Sequence, residues 1–304
     1  MTRPLKIAAV LNREGGTLRT TDLAAYGAHL KEVFAQRGHT LAIDLVSGKR
    51  VTDALKHAAD GDTDAILCGG GDGTVSAGAA MAWKTGKALG VLPAGTMNMF
   101  ARSLGIPLDI HQAAEALASG FVTAVDIATA NGRPFVHQYS VGVQPRMVRE
   151  RSKLGYRTRL EKLFSSMRAA LGTIGDPPSF DAHIGVESVC GDGPYSFVAV
   201  SNNVYGEGHM PYADDVAGGQ LGVYWAGVLS AGENLELATD MLRGAWRANP
   251  NLRMASAPAV SLRFPARRRR HKATIDGELV PLDETVELRI HPGALKVIAP
   301  GSID

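Results

Sequence analysis

The 304-residue sequence is poor in cysteine and has no long hydrophobic run. Its two cysteines, Cys68 and Cys190, can form at most one disulfide, which favours a reducing cytoplasmic environment. No apolar run approaches the roughly 20 residues that cross a bilayer as a helix. The apolar segment Leu5–Leu11 is too short for the core of a signal peptide. We therefore expect a cytoplasmic protein, or one that visits a membrane surface.

The spacing of histidine and cysteine and the net charge of the chain bear on zinc binding and on nucleic-acid binding. The nine histidines and two cysteines are scattered without the spacing of metal ligands, which argues against a zinc site. The formal net charge is +2, so the composition does not indicate nucleic acid as a partner. Hydrophobic residues make up 45% of the chain and charged residues 20%, which is typical of a folded protein. The length is sufficient for two domains.

The pattern of the chain changes near residue 122. The first 120 residues alternate strand and helix patterns, which predicts an α/β domain with a parallel sheet. From about Val122, alternating segments predict a mostly antiparallel β domain, and we place the boundary within Ser119–Asp126. Helical patterns interrupt this second part near Arg157–Leu171 and Glu233–Trp246. A single strand is predicted over Phe135–Val143.

A glycine-rich run, Gly69-Gly70-Gly71-Asp72-Gly73-Thr74, follows an apolar strand pattern and precedes a helical pattern. Such a loop lets backbone N–H groups approach an anion at a helix N-terminus. The run lacks the Gly-Lys-Ser/Thr of a P-loop, the third glycine of a dinucleotide fingerprint and the serine of a nucleophile elbow. Asp72 would repel a phosphate directly, so we predict that it acts through a cation or an ordered water. A purely structural turn is the alternative.

Four ordered motifs resemble the diacylglycerol kinase-like lipid kinases, the family that includes sphingosine and ceramide kinases and is distantly similar to NAD kinases. The motifs are Gly70–Thr74, Leu92–Pro107, Asn202–Pro211 and Ile275–Glu278, with an ending at Pro292–Val297. The resemblance runs nearly from end to end of the chain.

The resemblance implies a two-domain kinase. Residues 1–122, with a C-terminal tail of about 294–304, would form an α/β nucleotide-binding domain with a Rossmann-like parallel sheet. Residues 123–293 would form an antiparallel β-sandwich domain that binds the lipid. ATP would be the phosphoryl donor, Mg²⁺ would bridge its phosphates, and a lipid hydroxyl would be the acceptor.

The same resemblance assigns nucleotide-binding residues in three loops. These are Asn12, Gly70, Gly71, Gly73, Thr74, Gly95, Thr96 and Asn98. Asn12 lies just after the first strand, where an ordinary polar loop is the alternative. Thr96 and Asn98 precede a predicted helix, so each side chain would contact phosphate or cap that helix.

Three carboxylates are assigned catalytic roles by the resemblance. Asp72 is expected in an exposed loop beside the phosphates. Glu278 would accept the proton of the lipid hydroxyl, although Asp276-Gly277 between two β patterns is also a hairpin signal. Asp126 would help to organise metal and water, and a solvated carboxylate at a strand end is the alternative.

The chain also departs from the family pattern. Met99 and the segment Val143-Gln144-Pro145 replace segments that carry family aspartates, and Gly218 replaces a carboxylate of the family's structural metal site. Asp215 falls where that site has its first ligand and is our candidate metal ligand. Substrate Mg²⁺ carried by ATP does not depend on such a site.

The resemblance and one basic run define the expected partners. Arg267–Lys272 is the strongest charge cluster, and we expect it either to be solvated or to hold the enzyme on anionic phospholipid at the inner face of the membrane. No nucleic-acid partner is expected, and a homodimer remains open. We favour a diacylglycerol-like acceptor. The alternatives are a ceramide or sphingoid-base kinase, a non-catalytic member that binds nucleotide or lipid, and an NAD kinase.

Overall fold

The protein is represented by a computed structural model that describes residues 3–153, 178–186, 189–265 and 272–300. The chain divides into two compact units. Unit 1 comprises Met1–Ile127 and His291–Asp304, and unit 2 comprises Ala128–Ile290. The sequence places the corresponding boundaries at 122/123 and at about 294.

Unit 1 is built on a parallel sheet with the strand order β2-β1-β3-β4, and the end of β15 pairs with β4. The strands are β1 (Lys6–Asn12), β2 (Thr40–Val46), β3 (Ala65–Gly70), β4 (Ala88–Pro93), β5 (Phe121–Ala130) and β15 (Thr285–Ala299). The helices are α1 (Leu23–Gln36), α2 (Val51–Asp60), α3 (Asp72–Thr85), α4 (Met99–Ser103) and α5 (Ile110–Ala118).

Burial follows from this parallel arrangement. Every residue of β3 and β4 is buried, as expected of strands that helices cover on both faces. Helix α3 approaches β3 closely because Gly78 has no side chain: a Cβ there would lie 2.1 Å from Cys68 Sγ. Cys68 is a free thiol, and its complete burial raises its pKa to about 12.

Unit 2 is antiparallel. Its strands pair in the order β14-β13-β7-β9-β8-β12-β15, and β10 pairs with both β9 and β11. The remaining strands are β6 (Arg133–Phe135), β7 (Gln138–Gly142), β8 (Phe180–Val186), β9 (Val189–Ser201), β10 (Leu221–Gly227), β11 (Arg253–Ala257), β12 (Ala259–Arg263), β13 (Lys272–Ile275) and β14 (Glu278–Pro281). Within the described residues of unit 2, the helices α6 (Val143–Lys153) and α7 (Ala231–Arg243) accompany the sheet.

The predicted fold class is confirmed as an N-terminal α/β domain followed by a C-terminal domain rich in antiparallel strands. The strand predicted over Phe135–Val143 is confirmed for Gln138–Gly142, which is β7, whereas its continuity is wrong, because Phe135 ends β6 and Val143 begins α6. The helix predicted near Arg157–Leu171 lies outside the described residues. Among the described helices, none combines the length and apolarity needed to span a bilayer.

Candidate functional site

Three loops of unit 1 meet where β1, β3 and β4 end. Ala94, in the loop after β4, contacts both of the other loops. Its N–H donates to Gly70 O at 3.0 Å, and its carbonyl accepts from Thr17 N at 3.0 Å. Because carboxyl ends of parallel strands share one sheet edge, ligands of such folds bind there. The structure therefore brings together the predicted nucleotide residues Asn12, Gly70–Thr74 and Gly95–Asn98.

The glycines of these loops are needed for the loops to pack together. A Cβ on Gly95 would lie 2.7 Å from Gly71 Cα, and one on Gly15 would lie 3.4 Å from Gly70 Cα. A Cβ on Gly70 would lie 2.5 Å from the hydroxyl oxygen of Thr74, which is buried. The surface at this edge is therefore largely backbone, which is the chemistry that binds phosphate oxygens.

Helix α3 begins at the centre of this edge, and no side chain caps its N-terminus. Its N-cap residue is Gly71, so no side chain of a described residue accepts from the first N–H groups of the helix. The helix has 14 residues, and its dipole favours negative charge at this end. An uncapped N-terminus beside backbone-lined loops is suited to an anion.

Asp72 does not lie in an exposed loop, so that prediction is wrong. It is the first residue of α3 and is half-buried. Its carboxylate accepts the N–H groups of Met99 at 2.7 Å and Asn98 at 3.2 Å. These donors form the N-terminus of α4, so Asp72 caps a helix that begins 27 residues later. It therefore connects the first two sequence motifs.

In the second motif, the Asn98 side chain holds the loop that precedes α4, and Asp72 caps α4. The Asn98 amide accepts from Gly95 N at 2.8 Å and donates to Gly95 O at 3.2 Å, with its own backbone at φ 53°. Neither Thr96 nor Asn98 caps α4 with its side chain, so the predicted capping alternative is wrong for both residues. Thr96 is exposed in this loop. Met99, which departs from the family pattern, is buried and contributes its backbone N–H.

Under the nucleotide-binding role that the sequence predicts for this loop, replacing Gly95 with alanine is expected to weaken ATP binding by about tenfold or more. The added Cβ would contact the Gly71 backbone, and overpacking of this kind costs roughly 1–3 kcal/mol. Calorimetric titration with ATP measures the effect. Gly27→Ala is the control, because its Cβ would meet only Ile43 Cδ1 at 3.8 Å. Equal ATP affinity in wild type and Gly95→Ala would contradict the role of this loop.

Asn12 and Asp126 are the remaining residues of unit 1 that the sequence assigns to the site. Asn12 ends β1, and its side-chain oxygen accepts from Glu14 N at 3.0 Å, which shapes the first loop. Asp126 is buried within β5 and accepts from Gly293 N at 2.8 Å. The alternative of a solvated carboxylate at a strand end is therefore wrong for Asp126.

Glu278 belongs to unit 2 and follows a tight hairpin turn. Strands β13 and β14 pair antiparallel, and the connecting Asp276 and Gly277 have φ of 47° and 80°. Both positive values are typical of a type I′ turn, so the hairpin interpretation is confirmed. The Glu278 carboxylate is 57% exposed and binds the Arg133 guanidinium at 2.7 Å. A hairpin and a positioned carboxylate are therefore compatible.

Asp276 anchors this hairpin from inside the protein. It is buried, and its carboxylate accepts the N–H groups of His137 at 2.9 Å, Val136 at 3.0 Å and Gln138 at 3.0 Å. The segment between β6 and β7 is thereby fixed to the turn that carries Glu278. Sequence reasoning treated Asp276 only as a turn residue, and Arg133 was not predicted as a partner of Glu278.

We expect Asp276→Asn to destabilise the protein by about 1–3 kcal/mol. The amide retains one acceptor oxygen and turns an NH₂ group toward buried N–H donors, which leaves a hydrogen bond unmade. The change is measured as the free energy of unfolding in urea. Asp181→Asn, at an exposed position of β8, is the control. An unchanged midpoint in Asp276→Asn would show that the three hydrogen bonds do not hold the turn.

The third motif is organised by aromatic stacking. Tyr205 is buried and stacks on Tyr224 with ring centroids 5.0 Å apart, and burial raises the pKa of its hydroxyl well above the usual value. The Tyr205 hydroxyl donates to Gln138 Oε1 at 2.7 Å. This motif therefore supports the sheet that carries β7.

The predicted metal ligand Asp215 is an exposed turn residue. Its carboxylate accepts from Ala217 N at 2.8 Å. Across the part of the chain that the structure describes, no three histidine, cysteine or acidic side chains are grouped as metal ligands. The basic run Arg267–Lys272 lies outside the described residues, except for Lys272 at the start of β13.

Comparisons with known proteins agree with this arrangement. A family model described as the diacylglycerol kinase catalytic domain matches residues 6–130. The match covers all three backbone loops and Asp126, and it confirms the predicted resemblance for this part of the chain.

Two curated relatives show how far the similarity extends. An uncharacterized protein of Synechocystis sp. is 29% identical over 267 residues, which cover 83% of this chain and 58% of the relative. A diacylglycerol kinase of Bacillus subtilis is 34% identical over 125 residues, which cover 39% of this chain and 41% of the relative. The chain therefore spans about half the length of these relatives.

A solved structure shares the fold throughout. The crystal structure of a diacylglycerol kinase from Bacillus anthracis matches 100% of both chains with a TM-score of 0.73 and 18% sequence identity. At this identity the likeness shows the fold alone.

Proposed function

We propose that the chain is an ATP-dependent lipid kinase, because residues 6–130 match the family model of the diacylglycerol kinase catalytic domain. The reaction would transfer the γ-phosphoryl group of ATP to the hydroxyl of a diacylglycerol-like lipid. The observation that carries the proposal is the meeting of three backbone-lined loops around the uncapped N-terminus of α3.

The nucleotide half of the proposal depends on backbone donors. The N–H groups of Gly71–Gly73 and of Thr96 would bind phosphate oxygens, because glycine packing leaves these loops without bulky side chains. Mg²⁺ would arrive with ATP and neutralise charge on the phosphates as the phosphoryl group is transferred. Asp72 would hold α3 and the second loop together and face the cation through its remaining lone pairs.

The acceptor half of the proposal depends on Glu278. As the lipid oxygen forms its bond to phosphorus, its O–H bond breaks and the proton passes to the Glu278 carboxylate. An exposed carboxylate paired with Arg133 is available for this step. The bond between phosphorus and the bridging oxygen breaks at the same centre, and ADP leaves with that oxygen.

Ceramide and sphingoid bases remain alternative acceptors, because both present a primary hydroxyl. Membrane association through Arg267–Lys272 also remains a proposal, and basic residues near an anionic surface contribute about 1 kcal/mol each. A non-catalytic member of the family would bind ATP or lipid without product formation.

The test is incubation with γ-labelled ATP, Mg²⁺ and a panel containing diacylglycerol, ceramide and sphingosine, followed by separation of the lipids. We expect label in a phosphorylated lipid, with diacylglycerol the best acceptor. ATP binding without label in any lipid would support the non-catalytic alternative.

A further inference from the structure

Helix α7 of unit 2 carries leucines on its outer side as well as on its inner side. On the inner side, Leu237 is buried in a core cluster with Tyr224 and Trp246. Leu235 and Leu242 are 50% and 76% exposed, and Leu242 is the most exposed large hydrophobic side chain among the described residues. At about 100° per residue, these two leucines lie about 20° apart around the helix axis, nearly opposite Leu237. They form an outer apolar stripe two turns long.

One flank of this outer stripe carries a free pair of opposite charges. Glu236 and Arg243 directly follow Leu235 and Leu242, so they are also seven residues apart and lie on the same flank of the stripe. Both side chains are exposed. Neither makes a hydrogen bond or ion pair with any described residue. The stripe therefore offers one carboxylate and one guanidinium that are available to a partner.

The other two acids of α7 are already bound and point away from the stripe. Glu233 completes the capping box, with its carboxylate accepting from Ser230 N at 2.8 Å. Asp240 accepts from Asn249 Nδ2 at 2.7 Å. Around the helix axis they lie about 160° and 140° from Leu235. Glu236 is thus the acid of α7 that flanks the stripe.

The outer face of α7 is complementary to itself. A two-fold axis opposite Thr239 would place a second copy of the helix antiparallel to the first, with the same flanks together. Leu235 then lies within about one residue, or 1.5 Å along the axis, of Leu242 of the second copy. The same placement brings Glu236 equally close to Arg243 of the second copy, and the symmetry repeats both pairs. A parallel copy would instead bring like charges together.

The charge of the helix disfavours a lipid surface as the occupant of this face. Helices that lie on membranes carry mainly lysine and arginine on their polar side, whereas α7 has three acids and one arginine. The helix is also capped at both ends, by the Ser230 capping box and by Gly244 at φ 76°. A partner that docks on it therefore pays no cost for forming the helix.

We propose that the outer face of α7 binds the same face of a second copy of this chain, forming a symmetric antiparallel dimer. The helix has 13 residues and is about 20 Å long, so the interface is small. We therefore expect a weak dimer with a Kd of about 10–100 µM. The pairing uses none of the three loops and no substrate. Enzyme assays run far below this Kd, so the dimer does not enter measurements of turnover.

The first test is sedimentation velocity of the purified chain, without ATP or lipid, from about 5 to about 200 µM. Wild type should pass from monomer to dimer across this range. Leu242→Asp should raise the Kd about 100-fold or more, because burial of one leucine is worth about tenfold and a two-fold interface loses two. Leu108→Asp, the same change at an exposed leucine of unit 1, is the matched control and should dimerise as wild type.

Two outcomes of this test would overturn the proposal. One is a wild-type chain that stays monomeric at the highest concentration. The other is a dimer that Leu242→Asp leaves intact, because the chains would then meet through a different surface. If monomeric wild type instead binds phosphatidylglycerol vesicles and Leu242→Asp does not, the face is a membrane contact and self-pairing is wrong.

Charge reversal tests the antiparallel arrangement without touching the leucines. Glu236→Arg and Arg243→Glu should each raise the Kd about tenfold, because two attractive pairs become repulsive. The double variant exchanges the two charges and should restore the wild-type Kd to within about twofold. A double variant as weak as the single variants would show that Glu236 and Arg243 do not meet across the interface and would overturn the proposal.

Discussion

Glu278→Gln is expected to lower the turnover number by about 100-fold or more while ATP binding is retained. Glutamine has the same shape and can still accept a hydrogen bond from Arg133, but it cannot take the proton of the acceptor hydroxyl. Because Glu278 is 57% exposed, the substitution should change stability little. The measurements are steady-state lipid phosphorylation and calorimetric ATP titration.

The control for this prediction is Glu236→Gln, at an exposed position of α7 in the same unit. It should phosphorylate lipid at the wild-type rate. If Glu278→Gln keeps wild-type turnover and only melts at a lower temperature, the residue belongs to the hairpin alone.

Asp72→Asn is expected to remove phosphoryl transfer and also to destabilise the protein by about 1 kcal/mol. The carboxylate accepts two N–H groups at the start of α4, and asparagine offers only one oxygen, so part of the cap is lost. The second loop would then shift relative to α3, and the cation would lose a carboxylate. Turnover and the free energy of unfolding in urea are measured on the same preparations.

The control is Asp44→Asn on β2, an exposed carboxylate of the same unit. A stability loss in Asp72→Asn with normal turnover would assign Asp72 to capping only. Wild-type values for both quantities would contradict the cap as well as the catalytic role.

Elements with strong local signals are predictable from this sequence. The alternating strand and helix patterns of the first 120 residues include a strand pattern over Thr40–Val46, which is β2. They also include a helix pattern over Asp22–Arg37, which corresponds to α1 because Asp22 caps its first turn. The signal of Asp276-Gly277 is equally local, since both residues tolerate positive φ. Such features depend on a few neighbouring residues and need no knowledge of the fold.

Contacts between distant segments are not visible in a single sequence. Asp72 caps a helix that begins 27 residues later, and Arg133 binds Glu278 across 145 residues. Neither pairing has a local pattern, because the fold alone brings the partners together. Strand β7 ends at Gly142 with φ 97°, and this turn into α6 interrupts an apolar pattern that predicts one continuous strand. Tertiary structure overrides periodicity at this point.

The initial rate of label transfer from γ-labelled ATP to 1,2-dioctanoylglycerol, compared between wild type and Glu278→Gln, tests the lipid-kinase account most directly. The account predicts labelled phospholipid from wild type and a rate lowered by about 100-fold or more in the variant. No labelled lipid from wild type at saturating ATP and Mg²⁺, or equal rates from the two proteins, would contradict it.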